Sequence, residues 1–243
     1  MCILAVDAGN TRIKWGLWDG HWLRQDSVPT SEAVLLAAAW QGLPTLRQLV
    51  ACSVAGKQVS DWLDGWARAR GLTVHWVTSQ REQCGVRNDY TEPSQLGADR
   101  WAGLIAARSL VSGAALAVNA GTAVTIDALT QEGEFLGGLI LPGLELMAES
   151  LARGTAGLPR TSGAFAVFPR STADAIASGA LQSVCGAVER MERELASRGT
   201  APQILLSGGA AETVQSHLGR PARVVSNLVL EGLCVIAQAE GGS

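Results

Sequence analysis

Residues suited to binding phosphate and a metal ion lie at the start of the chain, where a short apolar run ends. The segment from Val6 to Lys14 reads Val-Asp-Ala-Gly-Asn-Thr-Arg-Ile-Lys. Gly9 allows a turn, after which backbone N–H groups and the Thr11 hydroxyl can face phosphate oxygens. Asp7 would be repelled by bare phosphate but can hold a cation that neutralises it. The alternative is a hairpin turn without a ligand, since Asp, Gly and Asn are ordinary turn residues.

A second group of reactive side chains follows a polar, irregular stretch from Cys84 to Gly97, which contains the only tyrosine, Tyr90. Asp99 and Arg100 come directly afterwards, at the start of a predicted helix. At about 100° per residue, Asp99 points away from the apolar stripe of that helix. An acid and a base after a long loop form a candidate site. The alternative is an Asp favoured by the helix dipole beside a solvated Arg.

The first motif recurs later in the chain, which indicates an internal duplication. Val118-Asn119-Ala120-Gly121-Thr122-Ala123 resembles the segment that begins 112 positions earlier at Val6. A second similarity joins Leu49–Gly56 to Ile204–Ala210, each typical of a strand, a glycine turn and a helix. The repeat predicts two halves, residues 1–113 and 114–243.

Hydrophobic periodicity and turn residues predict similar elements in the two halves. The first half begins with three antiparallel strands, the first of them, Ile3–Val6, buried on both faces. The remaining predicted strands are 49–54, 72–77, 115–118, 124–129, 135–141 and a short one near Val224. The predicted helices are 31–40, one after Gly56 with Trp62 and Trp66 in the core, 98–111, 144–152, 172–197, one after Gly209, and 228–239.

Composition limits the classes of function. The chain has 243 residues, 47% of them hydrophobic, and a formal net charge of −3, so a soluble globular protein is predicted and a nucleic-acid-binding surface is not. No stretch approaches a membrane span and no basic leader is present, so a cytoplasmic location is expected. Five widely spaced cysteines predict buried thiols, neither a disulfide framework nor a zinc site.

Five motifs stand in the order found in type III pantothenate kinase, which the chain therefore resembles over nearly its whole length. They are Asp7-Ala8-Gly9-Asn10-Thr11, Gly97-Ala98-Asp99-Arg100, Gly121-Thr122-Ala123-Val124-Thr125-Ile126-Asp127, Gly137-Gly138-Leu139-Ile140-Leu141-Pro142-Gly143 and Ser207-Gly208-Gly209-Ala210. The resemblance implies the α/β fold of the acetate and sugar kinase, Hsp70 and actin superfamily. In that fold, duplicated ribonuclease H-like (actin-like ATPase) domains with mixed sheets flanked by helices bind a nucleotide in a cleft between the halves.

The resemblance also implies roles for particular residues in the phosphorylation of pantothenate, the first step of coenzyme A synthesis. Asp99 would accept the proton of the primary hydroxyl of pantothenate, and Arg100 would bind the carboxylate. Gly97 and Tyr90 would help form that pocket, and Thr172 would reach it from a partner subunit of a homodimer. ATP-binding positions would be Asp7, Gly9, Asn10, Thr11, Lys14, Gly121, Thr122, Ala123, Gly208 and Gly209, with Asp7 holding Mg²⁺ through water.

Some assignments stay open. Lys14 would either assist the phosphates or serve as a cation at a strand edge. Family members often carry Asp, associated with K⁺ or NH₄⁺, where this chain has Asn119, so the need for a monovalent cation is in doubt. Small residues from Ala173 to Gly186 suit a dimer interface. The alternatives to this enzyme are a kinase of the superfamily with another small hydroxylated substrate and a non-catalytic regulatory relative; the chain is short for an actin-like filament or chaperone ATPase.

Overall fold

The structure is a computed structural model in which residues 2–154, 163–199 and 201–241 are described. The first elements are β1 (Cys2–Ala8), β2 (Arg12–Trp18), β3 (Trp22–Pro29), α1 (Leu35–Ala39), β4 (Leu46–Ser53), α2 (Lys57–Arg68), β5 (Val74–Trp76), β6 (Glu82–Gln83), β7 (Val86–Asn88) and α3 (Ala98–Leu110). They are followed by β8 (Ala115–Ala120), β9 (Ala123–Leu129), β10 (Glu134–Pro142), α4 (Leu144–Gly154), α5 (Thr172–Ala196), β11 (Gln203–Ser207), α6 (Ala211–His217), β12 (Ala222–Val224) and α7 (Leu228–Glu240).

The first unit is built around a sheet with the strand order β3-β2-β1-β4-β5. Strands β1, β2 and β3 pair antiparallel, whereas β4 runs parallel to β1 and β5 parallel to β4. All seven residues of β1 are buried, which confirms the predicted central strand. On one face Trp40 packs against Trp62 and Trp66, with ring centroids 5.9 and 4.7 Å apart, so the predicted core role of that tryptophan pair is confirmed.

The second unit repeats this plan. Its strands lie in the order β10-β9-β8-β11-β12, with β8, β9 and β10 antiparallel and β11 parallel to β8. In both copies of the repeat along the chain a helix follows the fourth strand and another follows the fifth: α2 and α3 in the first copy, α6 and α7 in the second. The duplicated mixed sheets flanked by helices confirm the predicted fold class.

The division into compact units gives the last helix to the first unit. One unit consists of residues 1–110 with 228–243, and the other of residues 111–227. Helix α7 is largely apolar and lies along α3, where Gly232 approaches the backbone of Ala102 so closely that a Cβ atom would overlap it. The repeat in the sequence predicts residues 114–243 as a single half. Chain order alone does not show that the terminal helix packs with the first unit.

Several predicted elements are shorter or more divided in the structure. The predicted helix at residues 31–40 is a 3₁₀ turn, Thr30–Glu32, followed by the five residues of α1. Only Leu36 and Trp40 of that stretch are buried, so little packing energy supports a longer helix. The irregular stretch 84–97 contains β7 and a second 3₁₀ turn, Pro93–Gln95.

The cysteine side chains and the hydropathy of the helices bear on the predicted chemical class. All five cysteines are free thiols, and four of them are buried. Within the described ranges, no helix combines the length and the hydropathy that crossing a membrane requires.

Candidate active site

The first phosphate-type turn joins β1 to β2, and hydrogen bonds to Gly9 hold its backbone in place. Gly9 donates its backbone N–H to the Arg12 carbonyl oxygen at 3.1 Å, and the Thr30 hydroxyl donates to the Gly9 carbonyl oxygen at 2.7 Å. A Cβ atom on Gly9 would lie 3.0 Å from the Arg12 carbonyl oxygen, which favours glycine there. Asn10 and Thr11 are exposed at the tip of the turn. The turn is therefore held in shape while its tip faces outward.

Asp7 lies at the base of this turn and is buried among charged and polar neighbours. Strand register places it opposite Lys14 on β2 and beside Cys52 on β4. The Lys14 Nζ atom is 4.0 Å from Asp7 Oδ2, and the Cys52 thiol donates to Asp7 Oδ1 at 3.7 Å. Burial raises the pKa of the Cys52 thiol well above its ordinary value, so the thiol keeps its proton and acts as a donor.

The pKa of Asp7 reflects both its burial and the charges around it. The pKa of Asp7 is raised from 3.8 to about 6: burial raises it most, the Lys14 ammonium lowers it, the Asp99 carboxylate raises it, and the Cys52 hydrogen bond lowers it. Because the Asp99 charge affects the pKa of Asp7, the two predicted carboxylates lie in the same region of the first unit. A cation near Asp7 would favour the ionised form.

Asp99 begins the first turn of α3 and folds back toward the loop. Its Oδ1 atom accepts the backbone N–H of Arg100 at 2.9 Å. A Cβ atom on Gly97 would lie 2.6 Å from that same Oδ1 atom, so glycine leaves the space that the carboxylate occupies. The side chain is half-buried and remains partly open to solvent. Gly97 thus shapes the position of Asp99, which explains why the two residues stand together in one motif.

The interpretation of Arg100 as a solvated side chain is wrong. Arg100 is 8% exposed, and its Nη1 atom donates to the Tyr90 hydroxyl at 3.2 Å. The guanidinium carbon also lies 5.9 Å from the centre of the Tyr90 ring. The tyrosine covers the arginine because the loop before α3 folds back over the helix start. A buried guanidinium is a strong recognition element for a carboxylate, since its planar fork can donate two parallel hydrogen bonds.

The second turn, between β8 and β9, is one residue shorter than the first. Three residues separate the paired positions Ala120 and Val124, whereas four separate Ala8 and Ile13. Gly121 donates its N–H to the Ala123 carbonyl oxygen at 3.0 Å, and residues 121–123 are exposed. The second turn therefore resembles the first in kind but has its own backbone geometry.

Two glycines of the second unit pack against this turn. Gly143 donates its N–H to the Thr122 carbonyl oxygen at 2.9 Å, and a Cβ atom there would lie 2.6 Å from that oxygen. Gly208 has a φ angle of +97° and approaches the backbone of Ala120, leaving no space for a Cβ atom. Ala210 also donates its N–H to the Ala120 carbonyl oxygen at 3.0 Å. The Gly-Gly motif thus helps to support the turn through its first residue.

Thr172 begins α5 and belongs to the second unit, whereas Asp99, Arg100 and Tyr90 belong to the first. Its side chain is exposed at the edge of a groove of about 560 Å³ between α4 and α5. The preceding residue, Ser171, caps the helix by accepting the Asp174 backbone N–H at 3.1 Å. Small residues such as Gly179 line the groove, and α4 has no buried residue.

Sequence comparison places these residues in a known family. The sequence profile of type III pantothenate kinase matches residues 3–194 of the chain. A relative from Aromatoleum aromaticum, named type III pantothenate kinase, is 46% identical over 242 residues, covering 99% of this chain and all of the relative. The chain belongs to the type III pantothenate kinase family. This membership confirms the resemblance inferred from the five motifs.

Solved structures support the fold. A Campylobacter jejuni protein described as a Baf family transcriptional activator has a TM-score of 0.62 at 19% identity, over 99% of this chain and 100% of its own. MreB 5 of Spiroplasma citri, solved with AMPPNP, has a TM-score of 0.56 at 9% identity, over 99% and 97% of the two chains. At these identities the similarity concerns the fold alone, and it agrees with an actin-like architecture for this type III pantothenate kinase family member.

The main site residue that sequence reasoning missed is Cys52, which had been predicted only as a buried thiol. The thiol is buried, but its contact with Asp7 spans 45 positions along the chain and depends on the parallel pairing of β1 with β4. The repeat contains a partial signal, because Ser207 takes the same place beside Asn119 in the second sheet. Both sheets of this chain therefore carry an S–H or O–H group at that position.

The carboxylates at and near Asp7 fit a magnesium ion that takes further ligands from the substrate. No group of three metal-ligating side chains exists among the described residues. Mg²⁺ commonly uses only one or two carboxylates and takes its other ligands from water and substrate phosphates. A buried Asp7, with Asp99 adding negative charge nearby, matches that pattern.

Replacing Gly208 by Ala is expected to lower the free energy of unfolding by about 2–4 kcal/mol, because the new Cβ would meet the Ala120 backbone at a positive φ angle. Urea unfolding followed by circular dichroism measures the change. Gly209→Ala is the matched control, since a Cβ atom there would have no neighbour within 4 Å. Equal losses in the two variants would contradict the proposed packing role of Gly208.

Proposed function

We propose that this chain transfers the γ-phosphoryl group of ATP to the primary hydroxyl of pantothenate, the first step of coenzyme A synthesis. Membership of the type III pantothenate kinase family supports the proposal. The structural observation that carries the proposal is that Asp99 and Arg100 are adjacent on the first turn of α3, with Tyr90 hydrogen-bonded to Arg100. The Asp99 carboxylate also raises the pKa of Asp7, which is the proposed magnesium ligand. That arrangement gives the substrate a proton acceptor and a carboxylate ligand on adjacent residues.

The roles follow from the chemistry of each group. Asp99, half-buried and held by the Arg100 backbone N–H, would orient the hydroxyl and receive its proton late in the transfer. The Arg100 guanidinium would bind the pantothenate carboxylate as a permanently charged fork. Tyr90 and Gly97 would close and shape that pocket. Phosphoryl transfer asks mainly for positioning and charge neutralisation, so these groups need not form a covalent bond to the substrate.

The nucleotide would be bound by the two turns and the Gly-Gly motif. Gly9, Asn10 and Thr11 would contact phosphate oxygens, and Lys14 would add positive charge beside them. The second turn would contribute Gly121, Thr122 and Ala123, and the backbone at Gly208 and Gly209 would lie close to adenosine. Asp7 would hold Mg²⁺ through water, and the ion, when bound, would neutralise charge on the transferring phosphoryl group.

We infer further that the enzyme is a homodimer in which Thr172 of each subunit contributes to the pantothenate pocket of the other. The exposed position of Thr172 and the small residues of the α4–α5 groove support this inference. A cytoplasmic location belongs to the same proposal, since ATP is a cytoplasmic metabolite.

A coupled assay of ADP release, with Mg²⁺, ATP and pantothenate, tests the proposed function directly. We expect ADP release that depends on pantothenate and falls sharply with an analogue whose carboxylate is replaced by a hydroxyl group. Release with other small alcohols but not with pantothenate would favour a different superfamily kinase. Absence of release with every alcohol would favour the non-catalytic regulatory alternative.

Asn119 predicts weak dependence on a monovalent cation, and replacing Asn119 by Asp is expected to strengthen that dependence. Its sheet neighbours Thr125 and Ser207 are uncharged, so the position lacks a counterpart of the Asp7–Lys14 pair. A new carboxylate there would raise the affinity for K⁺ on the order of tenfold by Coulomb attraction. Thermal unfolding in KCl and in tetramethylammonium chloride at equal ionic strength measures binding without turnover. An equal response of the two proteins to K⁺ would contradict the prediction.

A further inference from the structure

A buried amide lies at the centre of the loop that carries Tyr90. Asn88 is 0% exposed, and its Nδ2 atom donates to the Ser79 hydroxyl at 3.0 Å and to the Pro93 carbonyl oxygen at 3.3 Å. Its Oδ1 atom accepts the backbone N–H of Tyr90 at 3.0 Å. Both amide hydrogens and the amide oxygen are therefore used, which is what a buried polar side chain requires.

The backbone of Asn88 is bound as completely as its side chain. Its N–H donates to the Arg81 carbonyl oxygen at 2.9 Å. The Arg81 guanidinium in turn donates to the carbonyl oxygens of Asn88 and Tyr90, both at 3.2 Å. One residue thus joins three separate parts of the loop, at positions 79, 90 and 93, and Arg81 reinforces the part next to Tyr90.

Tyr90 links these hydrogen bonds to the candidate active site. The Tyr90 backbone is held at its N–H by Asn88 and at its carbonyl oxygen by Arg81. The ring that projects from this fixed backbone receives the Arg100 hydrogen bond at its hydroxyl. A change in the Asn88 side chain would therefore move the Tyr90 ring relative to Arg100 without touching either side chain directly.

We propose that Asn88 is a positioning residue for pantothenate, which holds Tyr90 in place over Arg100 and thereby sets the affinity of the pocket for the substrate carboxylate. The identity of the ligand rests on the proposed function, whereas the positioning of Tyr90 does not. The role predicts an effect on pantothenate binding that is separate from ATP binding, because the Asn88 hydrogen bonds all lie within residues 79–93.

Two substitutions separate the hydrogen bonds of Asn88 from its volume. Asn88→Asp keeps the shape and the acceptor for the Tyr90 N–H, but it loses the donor to the Pro93 carbonyl oxygen and places a carboxylate against it. Asn88→Ala removes all three side-chain hydrogen bonds. Val86→Ala is the control, because Val86 is fully buried on the same short strand but contributes only apolar contacts through its side chain.

Steady-state kinetics give the first measurement. We expect both Asn88 variants to raise the KM for pantothenate by at least about tenfold, since each leaves buried polar groups unpaired, while the KM for ATP changes less than about twofold. Val86→Ala should lower the thermal midpoint of the protein without that selective change. A parallel rise of both KM values, or an equal rise for pantothenate in Val86→Ala, would overturn the positioning role.

A substrate-independent measurement uses the fact that Tyr90 is the only tyrosine. Protein labelled with 3-fluorotyrosine should give one ¹⁹F resonance, which is expected to shift or broaden in the Asn88 variants and to stay unchanged in Val86→Ala. An unchanged resonance in the Asn88 variants would overturn the proposal even for an active enzyme. If the resonance responds to Asn88 substitution but the wild-type protein neither binds nor phosphorylates pantothenate, the proposed function fails and the positioning of Tyr90 stands.

Discussion

Replacing Asp99 by Asn is expected to lower kcat for pantothenate phosphorylation by about 10²–10⁴-fold, the range for a lost general base. The amide keeps the size of the carboxylate and an oxygen that can accept the Arg100 N–H, so the start of α3 and the space over Gly97 should be preserved. What the amide cannot do is receive the proton of the substrate hydroxyl. The KM for ATP should change little.

The control for this variant is Asp89→Asn, which alters an exposed acid next to Tyr90. Kinetics on the purified variants, with circular dichroism to confirm folding, provide the comparison. Full activity of Asp99→Asn would remove Asp99 from the role of base. A similar loss in Asp89→Asn would point instead to a general effect of charge in the loop.

The second large effect is expected at Asp7, where one substitution should abolish activity and stabilise the nucleotide-free protein. The folded state binds the Asp7 proton more tightly than the unfolded state, because burial raises its pKa from 3.8 to about 6. The contribution of this proton to stability is present below pH 4 and is lost as pH rises through about 6. Asp7→Asn carries no such titration, so it should be more stable than the wild-type protein above pH 6, by up to about 3 kcal/mol.

Thermal unfolding across pH in the presence of EDTA tests this expectation. The stability gained by Asp7→Asn should be small near pH 4 and should reach a plateau above pH 6, whereas Asp89→Asn should follow the wild-type protein. Calorimetric titration with Mg²⁺ and ATP should show weaker nucleotide binding in Asp7→Asn. A stability difference independent of pH would contradict the assigned titration of Asp7, and undiminished nucleotide binding would contradict its role near the phosphates.

Much of the fold could be predicted from short stretches of the chain. The buried strand before Asp7, the glycine turns and the helix that begins at Ala98 each depend on neighbouring residues, and all appear where periodicity and turn chemistry place them. The duplication could also be predicted, because two copies of one plan preserve similar residues at similar spacing. Boundaries were less accurate where few residues are buried, as in the short helix α1.

The surroundings of the site residues could not be predicted in the same way. Arg100 is buried because Tyr90, ten positions earlier, folds over it, and Cys52 contacts Asp7 because β4 pairs with β1. Asn88 gave no signal in the sequence, since an amide in a polar loop is indistinguishable from a solvated one until its partners are known. The final helix α7 packs on α3 and belongs to the first unit, although it follows the second unit along the chain.

The sequence by itself determined which residues could do chemistry and the order of strands, turns and helices that carry them, since these depend on residue type and on spacing over a few positions. Only the tertiary structure decided which polar side chains of the site are buried, which side chains interact by charge or by hydrogen bonds, and which residues surround the phosphate-type turn of Val6 to Lys14. The physical reason is that strand register and helix packing bring together residues far apart in the chain. Their effects on pKa and on buried hydrogen bonds arise only once that packing exists.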